Sequence, residues 1–356
     1  MTPANDRALV PADNALTVGA AFDAAAAGGM FADYRARRAA NTLRRQRADL
    51  AVFVDYLAAA QFFTLGTENP EAERKNAATY LQAHAHAWAE ITYGLVAGFP
   101  RWMLQQGYAI GSVNIRLVTV KVYAELAFNA GVLPESRYLR IKSIKTYAHK
   151  EAPNVDGQRV TDGIATRRGH KKAKSTTITR VQRQQLKAQP NTPQGRRDAL
   201  LMCILLDHGL RCGEIARLEV SAFDLTEGTM TFYRPKVQKE QTHKLTRDAL
   251  AAVRAYFQFD APVMGRLLLS TTKGGTLTAN PMTERAITKR VNYLGSKVGI
   301  ERLSAHDLRH SWATQAARNK TDPFALQEAG GWASLAMPRR YIDDAAIANE
   351  NVDLGE

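Results

Sequence analysis

The sequence predicts a mainly α-helical protein of two domains, the second carrying a small antiparallel sheet. Three observations lead there. Apolar residues recur at helical spacing in the first half, as in Leu43, Leu50, Phe53, Val54 and Leu57 and again in Val113, Leu117, Val120, Ala124 and Phe128. From 151 to 176 (EAPNVDGQRVTDGIATRRGHKKAKST) that periodicity vanishes, while proline, glycine and basic residues accumulate. Further on, two short alternating runs, TMTFY at 229–233 and THKLT at 242–246, flank KVQKEQ and read as the strands and turn of a hairpin.

A length of 356 residues suits two domains, and a hydrophobic share of 45% is enough for two cores. The formal net charge is +14, which points to a polyanionic partner, with nucleic acid the first choice. A generically basic protein is the competing reading, and charge alone does not separate the two. Cys203 and Cys212 lie in or beside an apolar helical run and read as buried free thiols, which suits a reducing cytoplasm. Two cysteines are too few for a zinc site of cysteine pairs. No segment approaches the ~20 apolar residues that span a bilayer, so no membrane partner is expected. The N-terminal run AAFDAAAAGGMFADY holds Asp23 and Asp33 and lacks a basic leader, so it does not read as a signal peptide.

In chain order, residues 1–27 read as a mobile tail or a loosely docked helix. A helical domain follows over 28–150. Arg44, Arg45 and Arg47 lie beside its first apolar stripe, either facing a phosphate backbone or forming a solvated basic face. Phe99-Pro100 and Gln106-Gly107 mark turns or helix starts, and Ser112 is a candidate N-cap for the helix that Gly131 and Pro134 end. Asn114, Arg116 and Lys121 fall outside that helix's apolar face. His84 and His86 stand two apart, point in different directions and read as ordinary helix residues. The stretch 151–176 is a linker by composition. Its Arg159, Arg167, Arg168, Lys171, Lys172 and Lys174 suit a segment crossing a phosphate backbone, against the alternative of a merely flexible hinge.

The second domain, 177–356, opens with Thr179 as a helix cap. Asp198 starts ALLMCILLDHG, a run apolar enough to be buried, which stops at Gly209. Arg211 follows directly, and CGEIARL reads as the next helix. Thr246 or Asp248 starts ALAAVRAYF, and Asn280-Pro281 looks like the cap and first residue of AITKRVNYLGSKV. Further helices run from His306 to Arg318, from Asp322-Pro323 to Gly330, and from Met337-Pro338 onward through Tyr341.

Five chemical groups stand in order in this domain: Arg211 with Glu214 in GLRCGEIARL, the lysines of KVQKEQ, His306 and Arg309 in HDLRH, Trp332 after Gly330-Gly331, and Tyr341 nine residues on. Order and spacing together resemble the active-site signature of the tyrosine recombinase (phage integrase) family. Trp332 stands where His is commoner, a variation found within the family, and Gly330-Gly331 stands where Leu-Gly is usual. Aligning KVQKEQTHKL with the usual K-G-x-K-x-R-x-x-P-L run places the family's catalytic lysine at Lys236 and leaves Lys239 at a less critical turn position that touches DNA.

The resemblance implies a C-shaped DNA clamp. Its helical N-terminal half would be the core-binding domain, although there the likeness rests on helix order alone. It implies a site-specific recombinase working as a homotetramer on two double-stranded DNA sites. Arg211 and Arg309 would fork onto the phosphate and stabilise the charge that builds on it. Tyr341 would attack phosphorus and form a 3′-phosphotyrosyl bond, with His306 taking its proton, Lys236 protonating the leaving oxygen and Trp332 donating one hydrogen bond. Glu214, one turn after Arg211, would orient an arginine. Because the link conserves bond energy and the arginines supply positive charge, neither ATP nor metal nor another cofactor is implied. The tail after Tyr341, with Ile342, Ala345, Ala346 and Ile347 as an apolar patch, would dock on a neighbouring protomer.

Three rival readings compete with this one. His306 and His310 have the i, i+4 spacing of a zinc helix, but residue 307 is Asp and no third ligand follows. A non-catalytic DNA-binding clamp has no need to keep the nucleophile. A type IB topoisomerase shares the chemistry, and the N-terminal domain and basic linker favour recombination over it.

Overall fold

The computed structural model describes residues 15–64, 66, 68–169, 172 and 175–345, and the chain separates into two units between Lys171 and Lys172. That boundary lies within the stretch read as a linker.

In the first unit, α1 (Ala15–Ala36), α2 (Ala40–Ala59), α3 (Pro70–Ala83), α4 (Tyr93–Gln105), α5 (Ile110–Asn129), α6 (Glu135–Lys142) and α7 (Ala152–Thr161) follow one another. The stripe on α2 is buried as expected: Leu50, Phe53 and Leu57 pack with Trp88, Phe99, Val113, Leu117 and Tyr123. Phe53 stacks on Trp88 with ring centres 6.1 Å apart and meets Phe99 edge-on at 5.0 Å. Each such side chain contributes roughly 1.5–3 kcal/mol on burial. Asp49, buried on α2, accepts the Thr119 hydroxyl of α5 at 2.9 Å and ties the two helices.

Local expectations shift here for physical reasons. α1 runs through the boundary placed at residue 27, and α7 occupies part of the linker; residues 1–14 lie outside the described ones. Phe99-Pro100 is no turn. Both are buried inside α4, whose start Thr92 caps by accepting the Leu95 amide, so packing carries the helix through the proline. α5 begins at Ile110 rather than after Ser112, because buried Ile110 extends the same apolar face one turn backward.

The second unit holds α8 (Arg180–Lys187), α9 (Pro193–Asp207), α10 (Cys212–Ile215), β1 (Phe223–Asp224), β2 (Thr229–Arg234), β3 (Lys239–Lys244), α11 (Arg247–Phe259), β4 (Leu269–Thr271), β5 (Leu277–Pro281), α12 (Glu284–Lys297), α13 (Ala305–Arg318), α14 (Pro323–Gly330) and α15 (Ala336–Ala345). Strands β1, β2 and β3 form an antiparallel sheet in that order, and β4 pairs with β5. Leu200 to Leu206 of α9 are all buried and form the centre of the core.

α9 starts at Pro193, capped by Thr192, and not at Asp198. Asp198 is fully buried instead, held by Arg197 at 2.6 Å and by Arg290. The hairpin turn is shorter than KVQKEQ. Lys239 pairs with Arg234 in register, so only Pro235 to Gln238 turn, with Gln238 at φ 50°. Asn280-Pro281 belongs to β5, where an edge position needs no proline N–H, and Thr283 caps α12 by accepting the Ala286 amide at 3.2 Å. Among the described residues, no helix is long and apolar enough to cross a membrane.

Candidate active site

Arg211 sits at the N-cap of α10, just after the α9 helix and Gly209. Glu214 holds it at both ends: the carboxylate accepts the Arg211 amide at 2.8 Å and its Nη1 at 2.7 Å. Arg309, on α13, is buried, and its guanidinium donates to the Gly209 and Gly330 carbonyls, the latter at 2.6 Å. Arg211 Nη2 donates to the next carbonyl, Gly331, at 3.1 Å. Two guanidiniums from distant parts of the chain thus hold successive peptide groups at the end of α14.

Beyond these carbonyls lies an aromatic stack. The Arg309 guanidinium sits 4.9 Å from the Trp332 ring centre, and Trp332 lies 5.6 Å from the Tyr341 ring. Tyr341 is 3% exposed, packed with Ala313, Ala317 and Leu326. The two departures in the sequence here prove to be one. A Cβ at residue 330 would fall 2.3 Å from the Trp332 ring, so an indole at 332 requires glycine at 330. Gly331 closes α14 in the left-handed region at φ 57°.

Burial pushes Arg309 down to about 9, and the nearby Arg211 and Arg234 push the same way. Burial also raises Tyr341, against the opposing pull of Arg309 and Arg340. The phenol is therefore neutral at pH 7 and needs help to ionise.

Of the residues expected in the site, Arg211, Glu214, Arg309, Trp332 and Tyr341 come together. His306 is exposed on the first turn of α13, and the imidazole that meets Tyr341, edge-on at 5.0 Å, is His310. His310 is pushed down by burial and by His306. Lys236 is exposed in the hairpin turn, while Lys239 pairs with Glu328 of α14. Arg234 was missed. It is fully buried, bonded to Glu214 and to the Ala329 and Gly330 carbonyls. The signal was present: Met230 and Phe232 point inward, and period two puts residue 234 on the same face.

The basic residues proposed for DNA contact divide between the units. Arg44, Arg45 and Arg47 are exposed on α2, with Asn41, Asp49 and Gln82 as respective partners. Arg116 and Arg168 both lie over the Tyr108 ring, at 4.6 and 5.2 Å. Arg167 is exposed. Lys172 bonds Asp307 at 3.2 Å, and Lys171 and Lys174 lie outside the described residues, as do Ala346 and Ile347 of the tail.

Behind the arginines, His208 and His243 face each other with ring centres 5.7 Å apart. Their Nε2 atoms are buried without a partner among the described residues. Burial pushes His208 down to about 4 and His243 to about 3. Unfolded, both titrate near 6.5. Their folded values are depressed, so the stability they contribute is complete above the unfolded value and drains away as pH falls, because the unfolded chain takes up protons that the fold refuses. Thermal unfolding should show a loss on the order of 2 kcal/mol per histidine between pH 7 and pH 5. A His243→Val variant should lose less over that window; a variant that matches the wild-type slope would remove His243 from this account.

Residues 176–346 match the model of the phage integrase family. The chain is 25% identical over 268 residues to tyrosine recombinase XerC of Haemophilus ducreyi, covering 73% of this chain and 77% of that protein. It is 24% identical over 265 residues to tyrosine recombinase XerA of Pyrococcus furiosus, covering 74% and 86%. Among solved structures, the Tn1549 transposon integrase in complex with a circular intermediate DNA aligns with a TM-score of 0.56, at 14% identity, over 82% of this chain and 94% of that one. A lambda integrase dimer bound to a core site aligns at 0.51, with 13% identity, over 93% and 87%. At these identities the structural likeness speaks to the fold alone.

Proposed function

We propose that this chain, which belongs to the phage integrase family of tyrosine recombinases, cuts and rejoins DNA strands through a covalent bond between Tyr341 and phosphorus. The observation that supports this most directly is the convergence of Arg211 and Arg309 on the Gly330 and Gly331 carbonyls, beside Trp332 and Tyr341.

A phosphodiester resists attack because its oxygens repel the nucleophile. Two guanidinium forks fixed in advance offset that repulsion and bind the extra charge of the pentacoordinate transition state. The Tyr341 phenol oxygen attacks phosphorus as its proton passes through water to His306. The bond to the 5′-oxygen breaks, and Lys236 gives that oxygen a proton. A 3′-phosphotyrosyl link and a free 5′-hydroxyl result. Attack by a 5′-hydroxyl from another strand reverses the step and exchanges partners, with no ATP needed because the link stores the bond energy. The guanidiniums supply the positive charge, so the reaction as written calls on no metal. Trp332 packs against Tyr341 and offers its Nε1–H to the phosphate.

Recombination between two duplexes breaks four strands, and with one nucleophilic tyrosine per chain this means a homotetramer on two DNA sites, working in the cytoplasm where the DNA lies. The exposed arginines of α2, with Arg116, Arg167, Arg168 and the lysines at 171, 172, 174 and 239, would neutralise the backbone.

The test is a nicked duplex with sulfur at the 5′-bridging position. Wild-type protein should form a 3′-linked adduct with either oxygen or sulfur there. Lys236→Ala should be slow with oxygen and restored with sulfur, because a thiolate leaves unprotonated. Rescue of Lys239→Ala instead would move the acid three residues along. No adduct from wild-type protein with either substrate would end the proposal.

A further inference from the structure

We propose that Arg234 is a positioning residue for strand cleavage: it holds the Glu214 carboxylate and the Ala329–Gly331 backbone where they aim Arg211 and Arg309. This rests on the recombinase reading above.

Arg234 ends β2 and has no exposed surface. Its Nη1 donates to Glu214 Oε2 at 3.1 Å and to the Gly330 carbonyl at 3.2 Å, Nη2 to the Ala329 carbonyl at 2.7 Å, and Nε to the Gln241 side chain. Its guanidinium lies 4.8 Å from the Phe232 ring centre. The partners are shared with the two arginines of the site. Glu214 also holds Arg211, and the Gly330 carbonyl also accepts from Arg309. The Gly331 carbonyl, which Arg211 holds, belongs to a residue pressed against Arg234: a Cβ there would fall 2.4 Å from Arg234 Cδ.

A buried arginine is a costly way to satisfy two carbonyls, since its charge must be desolvated and a neutral amide can donate as well. The charge has a specific use here. Glu214 is one buried carboxylate between two guanidiniums, and Arg234 occupies the oxygen that does not hold Arg211 Nη1. Without Arg234 the whole carboxylate charge would fall on Arg211 and compete with the incoming phosphate. With it, the site keeps an excess of positive charge. The hairpin register adds a second line. The arginine position of the K-G-x-K-x-R run is Gln241 here, and Gln241 touches Arg234 from the facing strand. One guanidinium appears on β2 where the run would place it on β3, on the same inward face.

This makes a swap the informative experiment. Single-turnover cleavage of a nicked duplex at saturating protein is compared for wild type, Arg234→Gln, Arg234→Lys and the double variant Arg234→Gln/Gln241→Arg, with DNA affinity and Tm measured alongside. Arg234→Gln should cleave roughly 10–100-fold more slowly, by analogy with the loss of residues that orient metal ligands, with affinity changed less than about threefold because the other phosphate contacts remain. Sulfur at the 5′-bridging position should not rescue it, in contrast to Lys236→Ala. Arg234→Lys should recover little, because an ammonium lacks the fork. The double variant should recover most of the rate.

Wild-type cleavage by folded Arg234→Gln overturns the proposal, and so does a folded double variant as slow as the single one. Where Arg234→Gln fails to fold, Arg234→Lys decides: folded with full rate counts against the proposal, folded with the rate lost supports it. If wild-type protein itself forms no adduct, the recombinase reading fails and this inference falls with it, a result none of the variants alone would produce.

Discussion

Tyr341→Phe should bind duplex DNA as wild type does and form no covalent adduct. The substitution removes one oxygen and leaves the ring, which is the part the fold uses: it packs 5.6 Å from Trp332, 5.0 Å from His310, and against Ala313, Ala317 and Leu326. Stability should therefore change within about 1 kcal/mol, well below what loss of a buried ring costs. Attack on phosphorus has no substitute, since phenylalanine has no nucleophile to offer. The measurement is a nicked suicide duplex, incubated with each protein and resolved under denaturing conditions. Wild type should shift the labelled 3′ end onto the protein, and the variant should not. A normal adduct yield from Tyr341→Phe would place the nucleophile elsewhere and undo the assignment.

Much of this site was legible because its chemistry is carried by order and spacing. Arg211, Arg309, Trp332 and Tyr341 are read from motif positions, and the structure gathers them without adjustment. Helix starts were legible where the cap is a hydroxyl or carboxylate beside a clear apolar run, as at Thr179, Thr246 and Asp322. They were misplaced where burial extends or overrides the local signal, as at Ile110 and Pro100, and at Pro193, where the hydroxyl cap Thr192 stands a polar turn ahead of the apolar run. The relation between Gly330 and Trp332 could not be read from spacing, since it depends on the indole lying over the preceding backbone. Nor could the neighbour of Tyr341. His306 and His310 are one helical turn apart, and which imidazole meets the phenol depends on how α15 crosses α13. Arg234 is the instructive omission. A charged residue at the end of an alternating strand reads by habit as a turn residue, yet the alternation itself put it inside.

Arg211→Ala and Arg309→Ala should each slow cleavage by roughly 10²–10³-fold, the loss that follows removal of one fixed donor to a developing oxyanion. DNA affinity should fall far less, because the phosphate backbone is held by many other basic residues. The two variants differ in what else they disturb. The Arg211 side chain is 27% exposed, and its removal leaves Glu214 still paired with Arg234. Arg309 is buried and alone serves the Gly209 carbonyl among the hydrogen bonds of the described residues. Arg309→Ala therefore also leaves a buried acceptor unpaired, at a cost of about 1–3 kcal/mol in stability. Arg211→Ala is the cleaner probe of chemistry, and Arg309→Lys complements it by keeping the charge while losing the fork. Single-turnover rates with oxygen and with 5′-bridging sulfur, read beside binding isotherms and Tm, separate the effects. Sulfur should leave both alanine variants slow, because their defect lies in the charge on phosphorus and not in the leaving group. If rate and affinity fell by the same factor, these arginines would be anchors for DNA, and the stabilisation of the transition state would have to come from other groups.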